Sequence, residues 1–140
     1  MKENKDLIDS MCKGCSMSVI ALDEILEKTD SKIINELKII KSNYNNFLKE
    51  AEIILKKRDS KIKGLNLFEK ISSGIMIDLK LINIDDEKIA DMVINGINMG
   101  LKETEKILSL YNISDDYKKL ANDYIDMQNK AKDSLSIYLK

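Results

Sequence analysis

Cys12 and Cys15 are the residues whose type and spacing could most readily do chemistry, because they form a Cys-x-x-Cys motif. In redox proteins this motif works when the first sulfur lies at a helix N-terminus, where the helix dipole lowers the thiol pKa. Here no strand precedes the pair, and the apolar pattern places it about two turns inside a helix. A zinc site would need two further ligands, yet the sequence has no second cysteine pair and no histidine. The motif therefore favours neither a redox centre nor a zinc site.

Methionines accompany these cysteines and suggest a different hypothesis, a cavity in the bundle centre that holds a soft metal or a small apolar ligand. Thiols and thioethers favour Cu(I) over iron or magnesium. The candidate metal ligands are Cys12, Cys15, Met17 and Met99. The whole predicted lining is Met11, Cys12, Cys15, Met17, Met92, Met99 and Met127. The alternative is an ordinary core in which methionine fills gaps and the cysteines are buried thiols.

An internal repeat with an offset of 82 residues relates the first part of the chain to the third. It aligns Cys12 with Ile94 and Cys15 with Ile97, which favours buried thiols over ligands. It also aligns two segments that contain glycine inside a helical pattern. The predicted helix-packing motif consists of Gly14, Ser18, Gly96 and Gly100. Each helical glycine costs roughly 0.5 to 1 kcal/mol relative to alanine, so we expect the two segments to approach closely, with Tyr44 and Met127 beside them.

Apolar residues spaced three and four apart predict that these segments belong to long helices. The predicted helices cover about 4–28, 31–58, 85–111 and 114–139, with a shorter one over about 65–82. They form two repeated αα-hairpins, about 4–57 and 85–139, in a single domain of residues 1–140. The long connector predicts a crossover and an up-down-down-up four-helix bundle. The alternative is an up-down-up-down bundle with residues 65–82 across one end.

The composition supports an all-α protein, because proline and tryptophan are absent and glycine occurs five times. A net charge of -1 argues against nucleic acid as a partner. The sequence contains no apolar run that resembles a signal peptide or a membrane span, so we expect a cytoplasmic protein.

The repeated Gly-x-x-Met-Ser/Gly element, together with the run from Ile89 to Leu101, is similar to a group of small uncharacterised bacterial ferritin-like proteins grouped with spore-coat-like proteins. The resemblance implies a ferritin-like bundle and a spore-associated setting. Ferritin-like enzymes hold two irons with glutamates and two Glu-x-x-His motifs. Because this chain has no histidine, those motifs are impossible and no di-iron ligand is carried over.

These observations predict a protein that is not an enzyme, with no catalytic residues and no cofactor. Its first predicted role is a structural or protein-interaction module that self-associates. The alternative role, from the methionines and cysteines, is a carrier of a soft metal or a small apolar ligand.

Overall fold

The computed structural model describes residues 2–29, 31–58 and 85–139. Four helices occupy most of these ranges, which contain no strand, and this confirms the predicted all-α class. The helices are α1 (Lys2–Lys28), α2 (Ile34–Arg58), α3 (Asp86–Leu110) and α4 (Asp115–Ser136). The crossover and the shorter helix predicted over about 65–82 lie outside the described residues.

Acidic residues begin α3. The side chain of Asp85 accepts a hydrogen bond from the backbone N–H of Lys88 at 2.7 Å, which caps the helix. Asp86 and Glu87 lie in the first turn, where negative charge is favoured by the helix dipole.

At the starts of α2 and α4, the serine side chains do not cap the helix that follows them. Helix α2 begins at Ile34 rather than at about 31, because residues 31–33 form a turn. The hydroxyl of Ser31 donates to the carboxylate of Asp86 instead of capping its own helix. Ser114 is the N-cap of α4, but its side chain makes no capping hydrogen bond. Both serines therefore connect different helices.

Ser114 joins the beginning of α4 to the beginning of α1. The Nδ2 atom of Asn4 donates to Ser114 Oγ at 2.6 Å, and the backbone N–H of Ser114 donates to Asn4 Oδ1 at 3.0 Å. Asn4 is itself buried, so this reciprocal pair satisfies an amide that would otherwise be costly to bury. Helices α1 and α4 therefore start at the same end of the bundle and run parallel.

Two further contacts show which helices run antiparallel. The bond from Ser31 to Asp86 places the end of α1 beside the start of α3, so these helices are antiparallel. The hydroxyl of Tyr138 donates to the backbone carbonyl of Lys32 at 3.5 Å, which places the end of the chain beside the start of α2. Helix α2 is therefore antiparallel to α4.

All four helices contribute to one apolar core. Helices α1 and α4 pack against each other and against both α2 and α3. Leu7, Leu37, Ile89 and Leu120, one from each helix, are fully buried or nearly so. Burial of such side chains stabilises the fold by roughly 1.5 to 3 kcal/mol each. None of the helices in the described ranges combines the length and the hydrophobicity that a membrane span requires.

Candidate functional site

The middle of the bundle is organised around Tyr124 of α4, whose side chain is 1% exposed. Its ring packs against Phe47 of α2 with the ring centroids 5.4 Å apart. Its hydroxyl extends between α1 and α3, next to Gly14 and Gly100. A Cβ at Gly14 would lie 3.5 Å from the hydroxyl oxygen, and one at Gly100 would lie only 2.5 Å from it. Residue 100 must therefore lack a side chain while Tyr124 keeps this position.

A chain of buried hydrogen bonds holds the Tyr124 hydroxyl in place. Tyr44 donates its O–H to Gln128 Oε1 at 2.6 Å, and Gln128 Nε2 donates to the Tyr124 hydroxyl oxygen at 3.0 Å. The hydroxyl proton of Tyr124 has no acceptor among the described residues. Because a tyrosine hydroxyl both accepts and donates, Tyr124 retains one hydrogen bond to offer.

Both phenols stay protonated at physiological pH. Burial raises the pKa of Tyr124 to about 12, and the nearby Cys15 adds to the shift. Burial raises the pKa of Tyr44 further still. Tyr124 is therefore a neutral hydrogen-bond donor rather than a phenolate.

An open groove between α1 and α3, called here the α1–α3 groove, begins at this hydroxyl. Its wider part has a volume of about 710 Å³ and is lined by Gly14, Gly100, Tyr124 and Gln128 among others. A second part of about 280 Å³ is almost wholly apolar. Its lining consists of Met17, Ser18, Ala21, Leu22, Ile25, Met92, Val93 and Gly96. The two parts share three lining residues, so they form one groove with a polar end and an apolar end.

Charged side chains lie along the polar end of the groove. Asp9, Lys13 and Glu103 line it, so carboxylates outnumber ammonium groups there. Partial burial raises the pKa of Asp9, against the opposing effect of Lys5. The polar end is therefore a poor environment for an additional negative charge.

The two cysteines lie in the core, and neither lines this groove. Both are buried and free. Burial raises the pKa of Cys12 to about 12, with Asp9 adding to the shift, and raises the pKa of Cys15 well above its ordinary value. Both sulfurs are therefore neutral thiols at physiological pH, which are weak nucleophiles and weak metal ligands.

Of the remaining sulfurs of the predicted lining, only that of Met11 is buried in the core with the cysteines. Met17 is 39% exposed and Met99 is 73% exposed, and both line the α1–α3 groove. Met92 and Met127 are only partly buried at the edge of the core. The prediction of one bundle centre lined by all these sulfurs is therefore wrong. In the described ranges, no group of three or more His, Cys, Asp or Glu side chains could hold a metal ion.

The glycines of α1 and α3 lie close to each other. Because Gly14 and Gly100 both lie beside the Tyr124 hydroxyl and the helices are antiparallel, Gly14 is level with about residue 100 and Ser18 with about residue 96. A Cβ at Gly96 would meet nothing within 4 Å. Ser18 lies on the groove wall. The four small residues therefore line the same part of the α1–α3 groove, and Gly100 is the position where space is limiting. Direct packing of these four residues against one another stays a prediction.

The helical spacing of α2 and α4 places Tyr44 and Gln128 at the same level of the bundle, and the structure brings them into contact. The spacing of apolar residues in α4 indicates only that Tyr124 belongs to the buried face of that helix. The spacing of four residues between Tyr124 and Gln128, about one helical turn, is the signal that could have revealed the pair. Met127 lies instead in a separate polar depression beside Phe47, between α2 and α4.

Two other buried hydroxyls, those of Ser16 and Thr104, have no hydrogen-bond partner among the described residues. Each such group costs about 1 to 3 kcal/mol. Neither lines the α1–α3 groove, and nothing in the structure explains them.

Comparisons with protein-family models, with curated proteins and with solved structures find no match for this chain. Its function is therefore argued from its own geometry.

Gly96 and Gly100 provide a matched test of the packing around Tyr124. We expect Gly96→Ala to raise the free energy of unfolding by about 0.5 to 1 kcal/mol, because alanine favours the helix and its Cβ meets open space. Gly100→Ala should lower it by about 1 to 2 kcal/mol, because the new Cβ displaces a buried hydroxyl. Chemical denaturation measures both, and changes of the same sign would contradict this description.

The buried thiols should be chemically silent in the native protein. At about pH 8 we expect DTNB to react with neither cysteine until denaturant is added, because both are buried and protonated. The variant Met99→Cys, which places a thiol at an exposed site, should react at once and serves as the control. Rapid reaction of Cys12 or Cys15 in the folded protein would be inconsistent with their burial.

Proposed function

We propose that this chain is a non-catalytic, ferritin-like four-helix bundle that binds a small apolar ligand in the α1–α3 groove. The observation that carries the proposal is the groove itself, an open apolar channel that ends at a buried hydrogen-bond donor. Ligand sites are typically concave and mostly apolar, with a few polar groups that orient the ligand, and have volumes of roughly 300 to 1,000 Å³. The groove meets each of these criteria.

The ferritin-like assignment is supported by the way the helix ends pair. Helices α1 and α4 start together, whereas the start of α3 lies beside the end of α1, as an up-down-down-up bundle requires. The repeat between the two hairpins adds to this support. At the level where ferritin-like enzymes hold iron, this chain has Tyr44, Gln128 and Tyr124.

A non-catalytic role is supported by the chemistry of the groove. Tyr124 and the two cysteines have pKa values raised by burial, which makes them poor bases and poor nucleophiles at neutral pH. The groove supports the hypothesis that the chain carries a small apolar ligand. The soft-metal carrier is not supported, because its four candidate ligands are divided between core and surface.

The role predicted first, a self-associating structural or interaction module, stays a prediction alongside this proposal. Cytoplasmic or spore-associated location likewise stays a prediction. Sedimentation velocity over a range of protein concentrations would measure self-association. We expect a dimer or larger species, and a monomer throughout would remove that role.

Blocking the groove tests the proposed function. We expect saturable binding of the uncharged fluorophore N-phenyl-1-naphthylamine, with displacement by decane. Gly96→Phe should weaken this binding at least about tenfold, because an aromatic side chain at this open position would fill the apolar end of the groove.

The matched control is Ile53→Phe, which adds an aromatic ring at an exposed site of α2 that does not line the groove. This variant should bind the fluorophore as the unmodified chain does. Absence of saturable binding, or equal binding by both variants, would refute the proposal.

A further inference from the structure

We infer that the ligand of the α1–α3 groove is an uncharged, elongated molecule with a carbonyl-type oxygen near one end, which accepts a hydrogen bond from the Tyr124 hydroxyl. This inference rests on the proposed function and adds the chemical class of the ligand. It depends on a hydroxyl at the groove wall that is buried, held in position by Gln128 and left with a hydrogen to donate.

The donor direction follows from the hydrogen-bond chain. Gln128 Nε2 occupies the acceptor side of the Tyr124 hydroxyl at 3.0 Å, and the other end of the amide is occupied by Tyr44 at 2.6 Å. Tyr124 therefore presents its O–H and not a lone pair to the groove. Buried tyrosine hydroxyls normally have hydrogen-bond partners. An acceptor oxygen of a ligand would bind the remaining hydroxyl proton of Tyr124.

The space beside the hydroxyl is kept clear by glycine. Any side chain at residue 100 would have its Cβ 2.5 Å from the hydroxyl oxygen, and one at residue 14 would touch it at 3.5 Å. Both glycines line the same part of the groove as Tyr124. Each glycine destabilises its own helix relative to alanine. Because these two residues have no side chain, the Tyr124 hydroxyl stays accessible from the groove.

The remainder of the ligand is defined by the apolar end. From Gly14 to Ile25 the groove follows α1 for about 16 Å at roughly 1.5 Å per residue. Its lining there is aliphatic and thioether, apart from Ser18 and Gly96. Such a surface accommodates a linear or branched hydrocarbon chain lying along the helices.

The charge at the polar end selects against an ionised head group. Asp9 and Glu103 line this end with a single cation, Lys13. A ligand carboxylate would meet two like charges and one opposite charge, whereas a ketone, ester or amide oxygen would not. The site therefore favours a neutral acceptor over a fatty-acid anion.

Displacement of N-phenyl-1-naphthylamine by three ligands of similar chain length tests the inference. Tyr124→Phe should weaken binding of methyl octyl ketone by about three- to tenfold, the effect of one hydrogen bond, and leave decane within about twofold. Decane binding also shows that the variant is folded. Gly100→Ala, which displaces the hydroxyl, should produce the same selective loss. Decanoate should bind the unmodified chain more weakly than the ketone.

The outcomes separate the two proposals. If decane and the ketone both bind but Tyr124→Phe changes them equally or not at all, the recognition of a carbonyl oxygen is overturned while the groove remains a ligand site. Decanoate binding as tightly as the ketone would overturn the neutral head group. If neither decane nor the ketone displaces the fluorophore, the proposed function itself fails.

Discussion

The hydroxyl of Tyr124 enters the space between α1 and α3, and the arrangement of the bundle centre depends on that contact. It requires a residue without a side chain at position 100 and leaves Gly14 in ordinary contact on the opposite wall. It also requires Gln128 to orient its amide nitrogen toward Tyr124, which turns the amide oxygen toward Tyr44. The Tyr124 hydroxyl of α4 thus contacts both α1 and α3, and Gln128 links it to Tyr44 of α2.

This polar centre explains how the bundle can specify one arrangement of its helices. A buried amide with both ends bonded is costly to rearrange, because any shift of α2 or α4 would leave a donor or acceptor unsatisfied. The reciprocal pair between Asn4 and Ser114 acts in the same way at one end of the bundle. Apolar packing provides most of the stability, whereas these few polar contacts set the register between helices.

Much of the fold could be predicted from spacing alone, since apolar stripes and acidic helix starts depend on local sequence. The start of α2 could not, because Ser31 bonds to Asp86, a partner 55 residues away. The steric role of Gly100 could not be predicted for a related reason. A repeat aligns Gly14 with Gly96 in sequence, but antiparallel helices place aligned residues at different heights, and only the structure shows that Gly100 is the crowded position. Met99 was assigned to the interior on its apolar type, although it lies on the groove wall and is largely exposed.

A double-mutant cycle between residues 100 and 124 tests the central contact most directly. With phenylalanine at position 124, the atom nearest to a Cβ at residue 100 would be Gln128 Nε2 at 3.6 Å and then the ring carbon at 3.7 Å, both ordinary contact distances. The cost of Gly100→Ala should therefore disappear in the Tyr124→Phe background, giving a coupling free energy of at least about 1 kcal/mol by chemical denaturation. Additive effects of the two substitutions, with no coupling, would contradict the account.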